Sequence, residues 1–247
     1  MTEQMDVDPA RIVRVVDIET TGLKEEKPEA EICEIGWIDI HLSDMTIRDP
    51  VQFFVDPGHP IPPEVRAVHH ISDADVKNAS SPAEAIEALH KGLGDDDILG
   101  AHNNRYEMQF LPSPLRWIDT YRCALRAWPS SPAHTNQTLR YVLGLDGMEG
   151  FDSDAAMPPH RALPDAYVTA WIARELLRMR SVERAVAVSA QPGVLPGINF
   201  GKHKGSRWQD VPIDYLEWMV HTATDMDEDR LFTARMHLRS RLDAQTA

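Results

Sequence analysis

The chain has 247 residues, 43% of them hydrophobic and 26% charged, with a net charge of −14. That length suits one good-sized domain plus an appendage, and the composition is ordinary for a globular protein. The acidity argues against broad, non-specific binding to a nucleic-acid backbone, which needs many Lys and Arg, and no run approaches the roughly 20 apolar residues that span a membrane.

The charge is uneven. Residues 191–247 hold seven Lys and Arg against eight Asp and Glu, so nearly all the excess acid lies in residues 1–190. A polyanion must therefore meet the larger part through bound cations or a local basic patch. The start, Met1-Thr2-Glu3-Gln4-Met5-Asp6, lacks the apolar core of a secretory signal, and residues 1–10 read as frayed. Cys33 and Cys123 sit far apart in apolar surroundings and read as buried free thiols of a cytoplasmic protein.

Residues 11–18, Arg-Ile-Val-Arg-Val-Val-Asp-Ile, form a β-branched run that leads through Glu19-Thr20-Thr21 to Gly22, the signature of a strand. Alternation puts Asp17 and Glu19 on one face with Val13 and Val15, opposite Ile12, Val16 and Ile18. Two apolar faces indicate an interior strand covered on both sides. Two carboxylates on a buried face are costly unless a cation or donors compensate them; the alternative is that both lie in a solvated turn beyond the strand end.

Further strands are expected at 32–41 and 46–55. Ile61-Pro62-Pro63-Glu64 opens a short helix ending near His69-His70, and Ser81-Pro82 opens another reaching Leu93. Asp97 to Ala101 reads as a short buried strand, and helices are expected at 104–111, 119–128 and 135–143. An acidic loop from Glu149 to Pro159 leads to a long helix over 164–180. The order of strands and helices indicates an α/β domain with a mixed sheet over 11–190. Gln191 to Gly197 is the clearest linker, and 198–247 forms a small module. In it Lys202, His203, Lys204 and Arg207 cluster on a turn over aromatics expected in the core: Phe200, Trp208, Tyr215 and Trp218. The turn reads either as a phosphate-contacting hairpin or as a solvated turn.

Two more acids stand out. Asn104 can cap a helix with Glu107 three residues on, so Glu107 reads by itself as a capping-box residue. Pro164 suits a first helical position, which puts Asp165 in the first turn, where the helix dipole favours it. Asp165 also heads the stripe Val168, Ile172 and Leu176, with His160 just outside the helix.

These segments resemble the DEDD superfamily of 3′→5′ exonucleases, in the branch whose third motif carries histidine. Asp17-Ile18-Glu19-Thr20-Thr21-Gly22-Leu23 matches the first motif. His102-Asn103 with Glu107 and Phe110-Leu111 matches the second, and His160-Arg161-Ala162-Leu163-Pro164-Asp165 matches the third. A narrower likeness, through Arg122 to Pro129 and the segment from Phe200 to Trp218, is to the exodeoxyribonuclease X branch. The resemblance implies a ribonuclease H-like five-stranded mixed sheet flanked by helices, with a small C-terminal α+β module. It implies two divalent cations, Mg²⁺ or Mn²⁺, held by Asp17, Glu19, Glu107 and Asp165. His160 would be the general base, since histidine titrates near pH 6.5. Thr20, Leu23, His69 and Asn103 would hold the 3′-terminal nucleotide. The expected substrate is DNA with single-stranded 3′ ends. RNA, or end-binding without turnover, are the alternatives, and the C-terminal module is a candidate protein-binding element. The chain departs from the family at Glu107, where the pattern has Asp.

Overall fold

The computed structural model describes residues 11–246; the expectation for residues 1–10 lies outside the described residues. The first three strands are β1 (Ile12–Thr20), β2 (Ile32–His41) and β3 (Thr46–Phe54), followed by α1 (Pro63–His69), α2 (Asp73–Val76) and α3 (Pro82–His90). Next come β4 (Ile98–Ala101), α4 (Glu107–Phe110), β5 (Arg116–Asp119), α5 (Thr120–Ala127) and α6 (Asn136–Val142). The long α7 (Ala162–Met179) and α8 (Val182–Ser189) close this part, and α9 (Ile213–His221) and α10 (Glu228–Thr246) end the chain.

The five strands form one sheet in the order β3-β2-β1-β4-β5. β1 lies at its centre, antiparallel to β2 and parallel to β4, as a strand apolar on both faces should. Val13 and Val15 pack with Val168, Ile172 and Leu176 of α7, while Val16 and Ile18 pack with Ala85 and Leu89 of α3. Asp17 and Glu19 thus face α7. A buried bidentate pair, Arg14 with Asp39, ties β1 to β2 on the α3 side, and Arg14 also donates to the Leu89 carbonyl.

Several boundaries differ from the sequence expectation. α3 ends at His90 rather than Leu93. The fifth strand of the expected sheet, β5, has no segment in the sequence expectation, and neither have α2 or α8; β5 is only four residues long and runs without a break into α5. α7 begins at Ala162, so Pro164 is its third residue rather than its first, and Asp165 remains in the first turn. The helix expected from 104 begins only at Glu107, because Asn103 takes a left-handed conformation and residues 104–106 form a turn. Cys33 and Cys123 are buried and free.

Residues 195–238 contribute to a separate hydrophobic cluster built on Ile198, Trp208, Val211, Leu216, Met219, Ala234 and Leu238. Its β content is a single bridge, Gly197 to Arg207. Trp208 is buried at 2% exposure, whereas Trp218, expected in this core, is 42% exposed. Leu216 and Met219 take the inward face of α9 and turn Trp218 outward. The stretch 191–197 is hydrogen-bonded to α10: Gly193 N donates to Asp229 Oδ1 at 2.7 Å and Leu195 N to Thr233 Oγ1 at 3.1 Å.

Candidate active site

The site is assembled by the start of α7 lying against β2. Glu34 and Gly36 of β2 stand opposite Glu19 and Asp17 of β1. Glu34 is fully buried, and it accepts from Arg161 Nε at 3.0 Å, Arg161 Nη2 at 2.5 Å and Ala162 N at 3.0 Å. Gly36 leaves no side chain under the helix: a Cβ there would fall 2.7 Å from Ala162 C and from Leu163 Cα. With its first turn seated there, α7 brings Asp165 over β1. Carboxylate oxygens of Asp17, Glu19 and Asp165 all lie within 4.8 Å of one another.

The sequence-expected acids therefore converge, and the solvated-turn alternative for Asp17 and Glu19 is overturned. Glu107 stands just outside that triplet. It is 3% exposed, and its Oε2 has no hydrogen-bond partner. It does not serve as a cap for Asn104, because the turn at 103–106 displaces the helix start and no side-chain cap forms there. It lies near enough to Asp17 to raise that carboxyl's pKa.

Burial and mutual repulsion set the electrostatics. Asp17 is raised well above the ordinary carboxylate range, first by burial and then by Asp165, Glu19, Glu107 and Glu34. Glu19 is pushed up to about 8 by burial, Asp165 and Glu34, with Arg161 opposing. Burial also raises Asp165, against the His160 N–H that favours its charge; that N–H donates to Asp165 Oδ2 at 2.7 Å. Burial raises Glu107, with Asp119 adding to the effect.

An all-oxygen, all-carboxylate set with one buried oxygen left unpartnered suits hard divalent cations such as Mg²⁺ or Mn²⁺. A group whose folded pKa is raised stabilises the fold below its unfolded pKa and loses that contribution as pH climbs. For Glu19 the loss runs from about 4.5 to about 8. Without metal, the melting temperature should therefore fall across that window. Saturating Mn²⁺ should raise it by roughly 5–10 °C at pH 8, from about 2.7 kcal/mol at a hundredfold excess over Kd. At pH 5 the rise should be much smaller, because protons compete for the ligands. Equal shifts at both pH values in a thermal melt would rule out this coupling.

A cleft of about 730 Å³ opens beside the acids, lined by Asp17, His102, Asn103, Tyr121, His134 and His160, among others. His160 is exposed and in a left-handed conformation, φ 61°. Such outliers recur where a site fixes its geometry. The other two histidines are occupied. His102 Nε2 donates to the His134 carbonyl at 2.6 Å, its Nδ1 meets Thr120 Oγ1 at 2.8 Å, and burial lowers it to about 4. His134 Nε2 donates to the Trp128 carbonyl at 3.0 Å.

The expected nucleotide-binding residues separate. Asn103 lines the cleft, its N–H held by Asp119 Oδ1 at 3.2 Å. Leu23 is 42% exposed next to Gly22. Thr20 is buried, with its hydroxyl against Tyr106 Oη. His69 is buried too: its Nδ1 accepts from Ile71 N at 3.0 Å, and its ring reaches the Thr20 backbone. It stands behind Thr20 and does not line the cleft. Sequence reasoning missed Glu34, Gly36, Tyr106 and Asp119. The available signal was Glu34, one of two acids, with Asp39, inside a largely apolar strand.

Residues 15–173 match the family model described as an exonuclease. The chain belongs to the exonuclease family. This exonuclease is 28% identical to Exodeoxyribonuclease 10 of Escherichia coli strain K12, over 92% of its own length and 99% of that protein. It is 28% identical to the DNA polymerase III subunit epsilon of Treponema pallidum, over 56% of its own length and 69% of that protein. Among solved structures it resembles Exonuclease X in complex with 5′ overhanging duplex DNA. The TM-score is 0.61 at 27% identity, covering 72% of this exonuclease and 99% of that chain. The nuclease domain of 3′hExo, a DEDDh member bound to rAMP, shares the fold with a TM-score of 0.53 at 19% identity, over 68% and 92% of the two chains. The ribonuclease H-like architecture and the DEDD resemblance expected from sequence both hold: the protein is a hydrolase of nucleic acid. Exonucleases of this family use divalent metal ions, and this chain carries a carboxylate cluster, Asp17, Glu19 and Asp165, with the chemistry to hold one. Among the described residues, no helix is long and apolar enough to cross a membrane.

Proposed function

We propose that this exonuclease removes nucleotides from the 3′ end of DNA, acting on single-stranded or frayed ends and releasing nucleoside 5′-monophosphates. The observation that carries the reading is the convergence of Asp17, Glu19 and Asp165 beside a cleft whose exposed histidine, His160, is tied to Asp165 through its own N–H. Asp17, Glu19 and Asp165, with Glu107 behind Asp17, would hold two cations, Mg²⁺ or Mn²⁺. When bound, such a pair supplies charge stabilisation to the attacking and leaving oxygens.

His160 takes a proton from the water that attacks the terminal phosphodiester. The bond from phosphorus to the 3′ oxygen of the preceding nucleotide breaks, and the phosphate leaves on the 5′ side of the released nucleotide. His160 serves this step because its ring faces both the cleft and solvent, so the proton can pass to bulk water. Thr20 and Leu23 flank the 3′-terminal nucleotide, with His69 fixing Thr20 from behind and Asn103 on the cleft wall. Residues 11–190 form the nuclease unit, 191–197 the connection and 198–247 the C-terminal module. The two buried free thiols support a cytoplasmic site of action.

Oligonucleotides labelled at either end, as DNA and as RNA, test the reading in Mg²⁺ or Mn²⁺. A 5′-labelled DNA strand should yield a descending ladder and a 3′-labelled one immediate mononucleotide. Shortening from the 5′ end, or preference for RNA, contradicts it.

A further inference from the structure

The C-terminal module carries a surface that the nuclease chemistry does not use. Its most prominent element is Trp218, 42% exposed on α9 and stacked on Tyr215, with ring centroids 5.2 Å apart and planes 25° from parallel. The turn Gly201-Lys202-His203 is seated on Tyr215. Lys202 Nζ lies 4.9 Å from the Tyr215 ring centroid, and the His203 ring meets Tyr215 edge-on at 4.5 Å. Gly201, at φ 59°, permits this approach, since a Cβ there would fall 2.6 Å from Tyr215 Oη.

The charge around this plate is one-sided on the turn. Lys202 and Lys204 are exposed, and neither belongs to a salt bridge among the described residues; Arg207 is engaged with Asp210 at 2.7 Å. Asp214 and Glu217 are exposed on α9 itself, so cationic contacts are confined to the turn. An exposed tryptophan backed by a half-buried tyrosine and edged by two ammonium groups outside any salt bridge among the described residues, in an otherwise strongly acidic chain, fits one class of partner well. Every nucleobase offers a π-face to Trp218, and the adjoining phosphates suit Lys202 and Lys204.

We infer that Trp218, with Lys202 and Lys204, forms a second binding site for single-stranded nucleic acid, distinct from the cleft at Asp17. The inference rests on the exonuclease reading for its substrate class, and stacking makes the site indifferent to DNA or RNA. The module also touches the nuclease unit near the site: Glu228 at the start of α10 pairs with Arg105, between Asn103 and Glu107. A strand long enough to reach both sites is held while its end is cleaved; a strand of three or four nucleotides is not.

Binding and turnover separate the two readings. Full-length protein carrying Asp17→Asn, to prevent cleavage, is titrated into fluorescein-labelled oligothymidylate of about twenty residues, and anisotropy is read. Adding Trp218→Ala should weaken Kd about tenfold, and Trp218→Phe should restore most of it. Lys202→Glu with Lys204→Glu should flatten the slope of log K against log salt by about 1.4, the contribution of two phosphate contacts on a single strand. In the otherwise wild-type enzyme, Trp218→Ala should leave kcat on a four-residue oligonucleotide unchanged and raise KM on the long strand. Parental affinity and salt slope in both module variants would overturn the inference and point to a protein partner for this face. Absence of cleavage on every substrate by the wild-type enzyme would instead overturn the exonuclease reading and leave the binding result standing.

Discussion

Replacing His160 with asparagine should lower turnover by about 10²- to 10⁴-fold, the usual contribution of a general base. Asparagine is the informative choice because it tolerates the left-handed backbone that His160 adopts at φ 61°. The N–H to Asp165 at 2.7 Å can therefore survive, and only the ring is lost. The rise in melting temperature with Mn²⁺ should be retained, since no carboxylate has been touched. His160→Ala removes the same ring in a backbone less suited to alanine, so a lower stability there with the same loss of turnover would separate the two roles. The neighbouring histidines cannot substitute. His102 is held near pH 4 by burial with both ring nitrogens engaged, and His134 donates to a carbonyl. Near wild-type turnover in His160→Asn would exclude the base assignment while leaving the acidic cluster intact.

Much of this site was legible because its parts obey local periodicities. Asp17 and Glu19 follow the two-residue alternation of β1, and Asp165 follows the helical stripe of Val168, Ile172 and Leu176. Both patterns fix a face before any tertiary contact is known. Glu107 was legible only through the motif resemblance, since by themselves Asn104 and Glu107 have the spacing of a capping box whether or not the helix starts there. The left-handed Asn103 and its bond to Asp119 delay the helix, and nothing in the spacing signals that. Trp218 misled for a related reason: aromatic content suggests a core, but α9 offers one inward face and Leu216 and Met219 occupy it. β5 escaped because four residues with Arg116 at the open end give too little alternation to read. Least visible were Glu34 and Gly36, whose role depends on a partner 127 residues away.

That long-range contact carries the second large effect. Gly36→Ala should cut activity by roughly 10²-fold, the scale expected when reacting groups move by about 1 Å. The added methyl meets backbone, Ala162 C and Leu163 Cα at 2.7 Å, and backbone cannot rotate away as a side-chain tip can. The first turn of α7 must lift or slide, taking with it Asp165 and the His160 N–H bound to it. The loss of stability should be about 1–3 kcal/mol, typical of overpacking, which leaves the protein folded at 25 °C. Glu34→Gln attacks the same junction by charge. It removes the charge that Arg161 pairs with and replaces one of the two acceptor oxygens by an NH2 donor, and breaking a buried pair in this way costs about 3–5 kcal/mol, toward the lower end where one partner is partly solvated, as Arg161 is. It also removes a negative charge opposite Glu19, so the Glu19 carboxyl should titrate lower. The two variants therefore separate position from charge: Gly36→Ala should lose the Mn²⁺-induced rise in melting temperature along with activity, and Glu34→Gln should shift its pH dependence. Wild-type turnover in Gly36→Ala would mean that the start of α7 moves freely over β2, and that the spacing of Asp17 and Asp165 is set elsewhere.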